Sequence, residues 1–408
     1  MIVEKASVKG MPLDSFRPRV MMVVPQYPYP VVGGLERQAH ELAKALCELG
    51  LDVQALSGRV EPGQLSYEIV EGIGVHRIPW SQKKYLRFLR APFDLVRVLR
   101  AQRMSYDVIH LHQHSWFGLF TILVARWLKI PILTKLPNVG EFGLPGLASQ
   151  GFGSLKLSIL LSADAVVAMS RESLSELQQA KFPTGRVLST PNGIRLDEAR
   201  HVRNAVAFNT RPCRVVFVGR LTEQKRLDLL LHAWNKVVHT EKARAILELW
   251  GSGPMEPALR RRCSDLCLVD SIIFKGHVKD VRSQLPEMDI FVLFSDAEGN
   301  SNAVLEAMAA GLSIVSTRVG GTRMLVGHEG REFLCEPGDV ESMSANMLKL
   351  IRNPALRGQV GLAMRYRAER HFNIREVAQT YAAAYHFLAN GQRDRVHEAS
   401  NPIIMVNG

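Results

Sequence analysis

Two doubly wound α/β domains, each with helices on both faces of a parallel sheet, are the fold class this sequence predicts. Three observations predict it. The chain has 408 residues, more than one hydrophobic core commonly serves. Short apolar runs of strand length alternate with helix-patterned stretches through both halves. That alternation lapses once, in the polar stretch DEARHVRNAVAFNTRP at residues 197–212, and then begins anew, which places a linker there. A hydrophobic share of 47% suits two filled cores.

The elements follow in order. A polar leader, residues 1–18, mixes charges of both signs without an apolar core segment, so no secretory signal is expected. RVMMVVP at 19–25 reads as a first buried parallel strand, and it leads through YPYPVV to Gly33 and Gly34. Two glycines in such a turn let backbone approach a ligand and take positive φ. A helix follows with Ala39, Leu42, Ala43, Leu46 and Leu49 on one stripe, ending at Gly50. Further strands are expected at 52–56, 107–111, 130–134, 165–168 and 186–189. Residues 83–103 interleave seven Lys or Arg and one Asp with Tyr, Leu, Phe and Val at helical spacing. Such a segment either packs its apolar face on the core or rests on an anionic membrane surface, and Pro92 should split it into two shorter helices. YDVIHLHQHSW sets His110, His112 and His114 at period two. Without an evident orienting shell, the expectation is one histidine packed beneath the sheet and the later ones at its ligand-side edge, not a zinc site.

In the second half, strands are expected at 214–218, 245–250, 272–275, 290–294 and 313–316, then a helix at 374–388 and a disordered tail over 391–408. Cys263 and Cys267 fall at i, i+4 and read as a buried helix face. Five scattered cysteines argue against a disulfide framework and for a reducing compartment. The longest apolar stretch, 116–133, is interrupted by Arg126 and Lys129, so no membrane-spanning helix is expected. Lys plus Arg number 51 against 39 Asp plus Glu, a net +12. That balance favours an acidic partner: nucleotide phosphates, an anionic membrane face or nucleic acid. No aromatic-basic motif for reading RNA supports the last.

Candidate chemistry gathers after two strands. Arg220 and Lys225 emerge just past the carboxyl end of strand 214–218, where two cations suit a diphosphate, and no GxxxxGK[ST] loop replaces them. In IFVLFSDAEGNSNAVLEAMAAG, Glu298 and Glu306 lie eight residues apart, with Gly299, Asn300, Ser301 and Asn302 between them. Strand end, glycine-bearing loop and helix start form a setting for sugars and phosphates. Val304 stands where a capping box would need Glu or Gln, so helix amides stay available to a ligand. Glu306 is expected near the first helical turn. No Asp-x-Asp pair occurs in the chain, so metal-independent chemistry is the expectation.

Taken together, GGLERQAHELAKAL, PNGI at 191–194, FVGRLTEQKRLDLLLHAW, GSGP at 251–254, FKGHV at 274–278 and EGNSNAVLEAMAAG resemble glycosyltransferase family 4 over residues 19–390. The resemblance implies the GT-B fold, with Rossmann-like domains at 19–196 and 213–370 facing an interdomain cleft, and a C-terminal helix at 371–390 crossing back to the first. It also implies retaining transfer of a hexose-type sugar from a nucleotide diphosphate sugar to a hydroxyl acceptor, a glycan or a lipid-linked intermediate of envelope or exopolysaccharide synthesis. By position, Glu306 matches the ribose-binding Glu and Glu298 the one at the donor-sugar hydroxyls, with amides from Gly299, Asn300, Ser301 and Asn302. Arg220 and Lys225 match the diphosphate pair, Gly34 with Gly33 the glycine turn facing the phosphates, and His277 with Val278 the segment beside the base. Arg220, Lys225 and Glu298 would carry the catalysis. Many members have a His after the strand at 130–134, where this chain reads TKLPNVGEFG. Lys135, Asn138 or Glu141 stand in its place, with His112 and His114 on the same acceptor or sugar side. No cofactor, no nucleic acid and a cytoplasmic site of action, visiting the inner membrane face, complete the expectation. A nucleotide-sugar epimerase on the same scaffold and a basic nucleic-acid-binding protein are the alternatives.

Overall fold

A computed structural model describes residues 16–27, 33–61, 63–79, 84–136, 138–196, 212–241 and 245–404. The chain divides into two compact units, one made of Met1–Arg195 together with Ile374–Val406 and the other built on Leu196–Asn373. The linker expected at 197–212 lies outside the described residues except for Pro212.

The first unit holds eight strands: β1 (Val20–Val23), β2 (Val53–Arg59), β3 (Tyr67–Val70), β4 (Ile73–Pro79), β5 (Val108–Leu111), β6 (Ile132–Lys135), β7 (Ala165–Ala168) and β8 (Val187–Ser189). Their order is β3-β4-β2-β1-β5-β6-β7-β8, with β3–β4 the antiparallel pair. β1 is buried along its whole length, as a run without alternation requires when both faces are covered. One face is closed by the helices Gly34–Glu48 and Ile374–Ala389. The other is closed by Lys84–Ala101, Trp116–Trp127, Gly153–Leu161 and Arg171–Gln179.

The hairpin β3–β4 escaped the sequence reading. Its turn is Glu71-Gly72, both at positive φ (46° and 85°), as a two-residue hairpin turn demands. Tyr67 and Ile69 on β3 point to solvent, so its alternation carries no burial signal.

Four expectations need correction. Pro92 lies inside one continuous helix, Lys84–Ala101, instead of dividing it; Ala91, Leu95 and Leu99 hold that helix to the core, which outweighs the single donor proline removes. Gly33 is extended (φ −93°) and Gly34 is the first helical residue, so neither glycine takes positive φ. Cys263 is buried on its helix, but Cys267 is exposed beyond the helix end at φ 54°. The tail is ordered through residue 404: Val396, Ala399 and Ile404 are buried. There the Ser189 amide donates to Ser400 Oγ (2.9 Å) and the Asn401 amide to the Ser189 carbonyl (2.7 Å). The tail thus covers the edge strand β8, whose backbone groups would otherwise lack partners. Three apolar residues scattered among charges left no period to detect.

The second unit has six parallel strands: β9 (Cys213–Val218), β10 (Ala245–Trp250), β11 (Ile272–Gly276), β12 (Ile290–Leu293), β13 (Ser313–Thr317) and β14 (Leu334–Cys335). Their order, β11-β10-β9-β12-β13-β14, reverses direction between β9 and β12. That reversal leaves the two loops following β9 and β12 diverging to opposite faces, which is where open α/β sheets bind ligands.

Candidate functional site

Four loops at the carboxyl edge of the second sheet are laced together. Gln224, after β9, donates from Nε2 to the Ala297 carbonyl (2.7 Å) and accepts at its own carbonyl from the Asp296 amide (3.0 Å) and Ser295 Oγ (3.1 Å). The Leu221 amide reaches the Ser252 carbonyl after β10 (3.0 Å), and the Gly321 amide after β13 reaches the Gly299 carbonyl (2.8 Å). Two glycines make this closeness achievable. A Cβ on Gly251 (φ 146°) would lie 1.8 Å from the Gly219 carbonyl oxygen, and one on Gly320 (φ 45°) 1.5 Å from that of Glu298.

Within this lacing, Lys225 Nζ donates to Glu298 Oε1, with side-chain exposures of 17% and 10%. Lys225 ends a short 3-10 turn, Glu223–Lys225, and Arg226 in the left-handed region then redirects the chain into the helix Leu227–Glu241. Arg220 is exposed two residues past the strand and, among the described residues, its guanidinium has no hydrogen-bond or ion-pair partner. Gly299, Asn300 and Ser301 are buried. Ser301 is the N-cap of the helix Asn302–Ala309 without a side-chain cap bond, so its first amides are not taken by that hydroxyl. Glu306 is the fifth residue of this helix, just past its first turn as expected, and buried, with Arg282 Nε 3.8 Å from its Oε1. Arg282 was missed because nothing in its sequence neighbourhood marks it. His277 is exposed and Val278 half-buried just after β11.

A separate polar cluster lies at the carboxyl edge of the first sheet. His110 Nδ1 and Tyr385 Oη are 2.7 Å apart, and the His110 and His112 rings lie 4.0 Å apart. Both are buried on one side, as period two predicts. Neither ring nitrogen of His112 has a partner among the described residues. Burial, with Lys135 nearby, holds both imidazoles well below their ordinary pKa, hence neutral. His114 Nε2 lies 3.1 Å from Thr134 Oγ1, and burial lowers this imidazole to about 4. Lys135, the last residue of β6, donates to Asn192 Oδ1 (2.6 Å), and desolvation lowers its pKa to about 7. Asn192 belongs to the PNGI segment; sequence reasoning quoted the motif without assigning it this contact. Asn138 is half-buried and Glu141 is exposed in a 3-10 turn, and among the described residues neither is hydrogen-bonded or ion-paired to Lys135. Among the described residues no group of three or more His, Cys, Asp or Glu could hold a metal ion, and no helix is long and apolar enough to cross a membrane.

The family model for Glycosyltransferase Family 4 matches residues 32–198, and that for Glycosyl transferases group 1 matches 212–353. The chain belongs to this family of glycosyltransferases, and its fold is GT-B. N-acetyl-alpha-D-glucosaminyl L-malate synthase of Bacillus anthracis is 24% identical over 88% of this chain and 95% of its own. Sucrose-phosphate synthase from Thermosynechococcus elongatus superposes with a TM-score of 0.76 at 20% identity, covering 92% of this chain and 100% of that one. Anabaena HepE in complex with UDP-glucose gives 0.71 at 18%, covering 90% and 98%.

Proposed function

We propose that this chain transfers a hexose-type sugar from a nucleotide diphosphate sugar to a hydroxyl of a glycan or lipid-linked acceptor, with retention at the anomeric carbon and without a metal. The observation that carries the reading is the partly buried Lys225–Glu298 pair at the reversal point of the second sheet, with the exposed Arg220 in the same loop as Lys225. A diphosphate entering there meets Arg220 directly and takes Lys225 from Glu298. The released carboxylate can then accept from sugar hydroxyls, while Glu306 takes the ribose hydroxyls. Gly299, Asn300, Ser301 and Asn302 offer amides at the helix start, where charge is favoured.

In the transfer itself, the C1–O bond to the diphosphate breaks and the acceptor oxygen bonds to C1 on the face just vacated. The acceptor proton passes to a phosphate oxygen. Arg220 and Lys225 hold the negative charge that develops on the diphosphate, an effect of several kcal/mol in preorganised sites. Five unpaired cysteines suit a cytoplasmic setting, and the crystallised relative bound to UDP-glucose favours a uridine donor.

The test is a panel of sugar nucleotides with and without chelator, scored by nuclear magnetic resonance for anomeric configuration. Retained product, and a loss of at least about tenfold in turnover for Lys225→Ala, are expected. Inverted product, or an isomerised sugar nucleotide without acceptor, overturns the reading.

A further inference from the structure

The helix layer Lys84–Ala101, Trp116–Trp127 and Gly153–Leu161 carries large apolar and cationic side chains on its outer face. On the first helix, Ala91, Leu95 and Leu99 turn inward, while Arg90, Phe93, Arg97 and Arg100 form the opposite stripe, Phe93 being 78% exposed. The neighbouring helix packs alongside and adds Leu123 and Trp127, the latter 61% exposed with the Arg100 guanidinium 5.6 Å from its ring centre. Met104, at 83%, extends the apolar surface beyond the end of the first helix. Acidic residues are nearly absent: Asp94 is the single one in 84–105, and 116–129 and 153–161 contain none. Asp107, the next acid, is already bound to Arg19.

We infer that this face is a docking surface for an anionic bilayer, with Phe93, Met104, Leu123 and Trp127 entering the headgroup boundary and Arg90, Arg97 and Arg100 meeting lipid phosphates. Charge complementarity selects this occupant. Large apolar side chains spaced by arginines with almost no acid fit a surface that is negative and apolar just beneath. A second copy of the chain would bring the same cations against these. Long arginine stems can lie along the apolar patch and keep their charge at headgroup level. The surface is separate from the sugar-nucleotide site of the second unit, so it stands or falls independently of the donor.

Flotation with phosphatidylcholine vesicles, with and without one-third phosphatidylglycerol, tests it. Binding to the anionic vesicles at least about tenfold stronger than to neutral ones is expected, weakening as salt is raised. Arg97→Glu/Arg100→Glu and Phe93→Ala/Trp127→Ala should each lower that binding by about tenfold or more with unchanged melting temperature and nucleotide binding. A blue shift of tryptophan emission on vesicle binding should be lost in Trp127→Phe. Equal affinity for neutral vesicles, undiminished binding of both double variants, or a vesicle-independent dimer abolished by them would overturn the proposal.

Discussion

Replacing Glu298 by Gln separates the two roles assigned to the Lys225 ammonium. Without ligand, Lys225 is held by Glu298, so an arriving diphosphate must exchange one anion for another. Exposed ion pairs contribute about 0.2–1 kcal/mol and fully buried ones considerably more when broken. With side chains 17% and 10% exposed, this pair falls between, at about 1–2 kcal/mol. Removing the competing charge should therefore raise affinity for the free nucleoside diphosphate by about 5- to 30-fold, while turnover with the sugar nucleotide falls because the sugar loses an acceptor group. Titration calorimetry with uridine, guanosine and adenosine diphosphates reads the first quantity, with Lys225→Met as the opposite control. An Glu298→Gln affinity equal to or below that of the unmodified protein, together with unimpaired binding by Lys225→Met, would refute the exchange and remove Lys225 from phosphate binding.

Gly320→Ala should displace the loop carrying Glu298, because its Cβ would meet the Glu298 carbonyl at 1.5 Å and φ is 45°; nucleotide affinity is expected to fall at least about tenfold, with a stability loss of about 1–3 kcal/mol in urea denaturation. Val396→Asp puts an unpaired carboxylate into the first core, where Val396 is fully buried, and should cost at least about 3 kcal/mol or abolish soluble expression. Lys135 has a folded pKa of about 7 against an ordinary 10.5, so between these values the unfolded chain binds the extra proton. Stability relative to Lys135→Met should accordingly rise from pH 7 toward pH 10; a pH-independent difference in urea midpoints would mean that Lys135 remains charged in the fold.

Much of the fold was legible because fully buried parallel strands are continuous apolar runs. β7 and β10 begin and end where their sequences suggest, and the other predicted strands shift by a residue or a few. What escaped lacks that signal: β3 faces solvent, the two-residue β14 is too short for a period, and the tail is anchored by three separated apolar side chains. Lys225 and Glu298 are 73 positions apart in sequence, yet each follows a strand flanking the sheet reversal, so strand order alone brings them together. Arg282 and Tyr385 were not legible as site residues, since their partners are set by packing between elements distant in the chain. The His110–His112–His114 spacing revealed a shared side but not which nitrogens would find partners.

The helix Ile374–Ala389 completes the core begun by β1 and the helix Gly34–Glu48, with Tyr385 pinned to His110. During synthesis, the ribosome releases the first sheet with that flank bare, and translates the entire second unit before the missing layer emerges. Nascent chains halted before Ile374 should therefore recruit chaperones and be cut readily by protease in their amino-terminal half, while the later-made unit can already be folded.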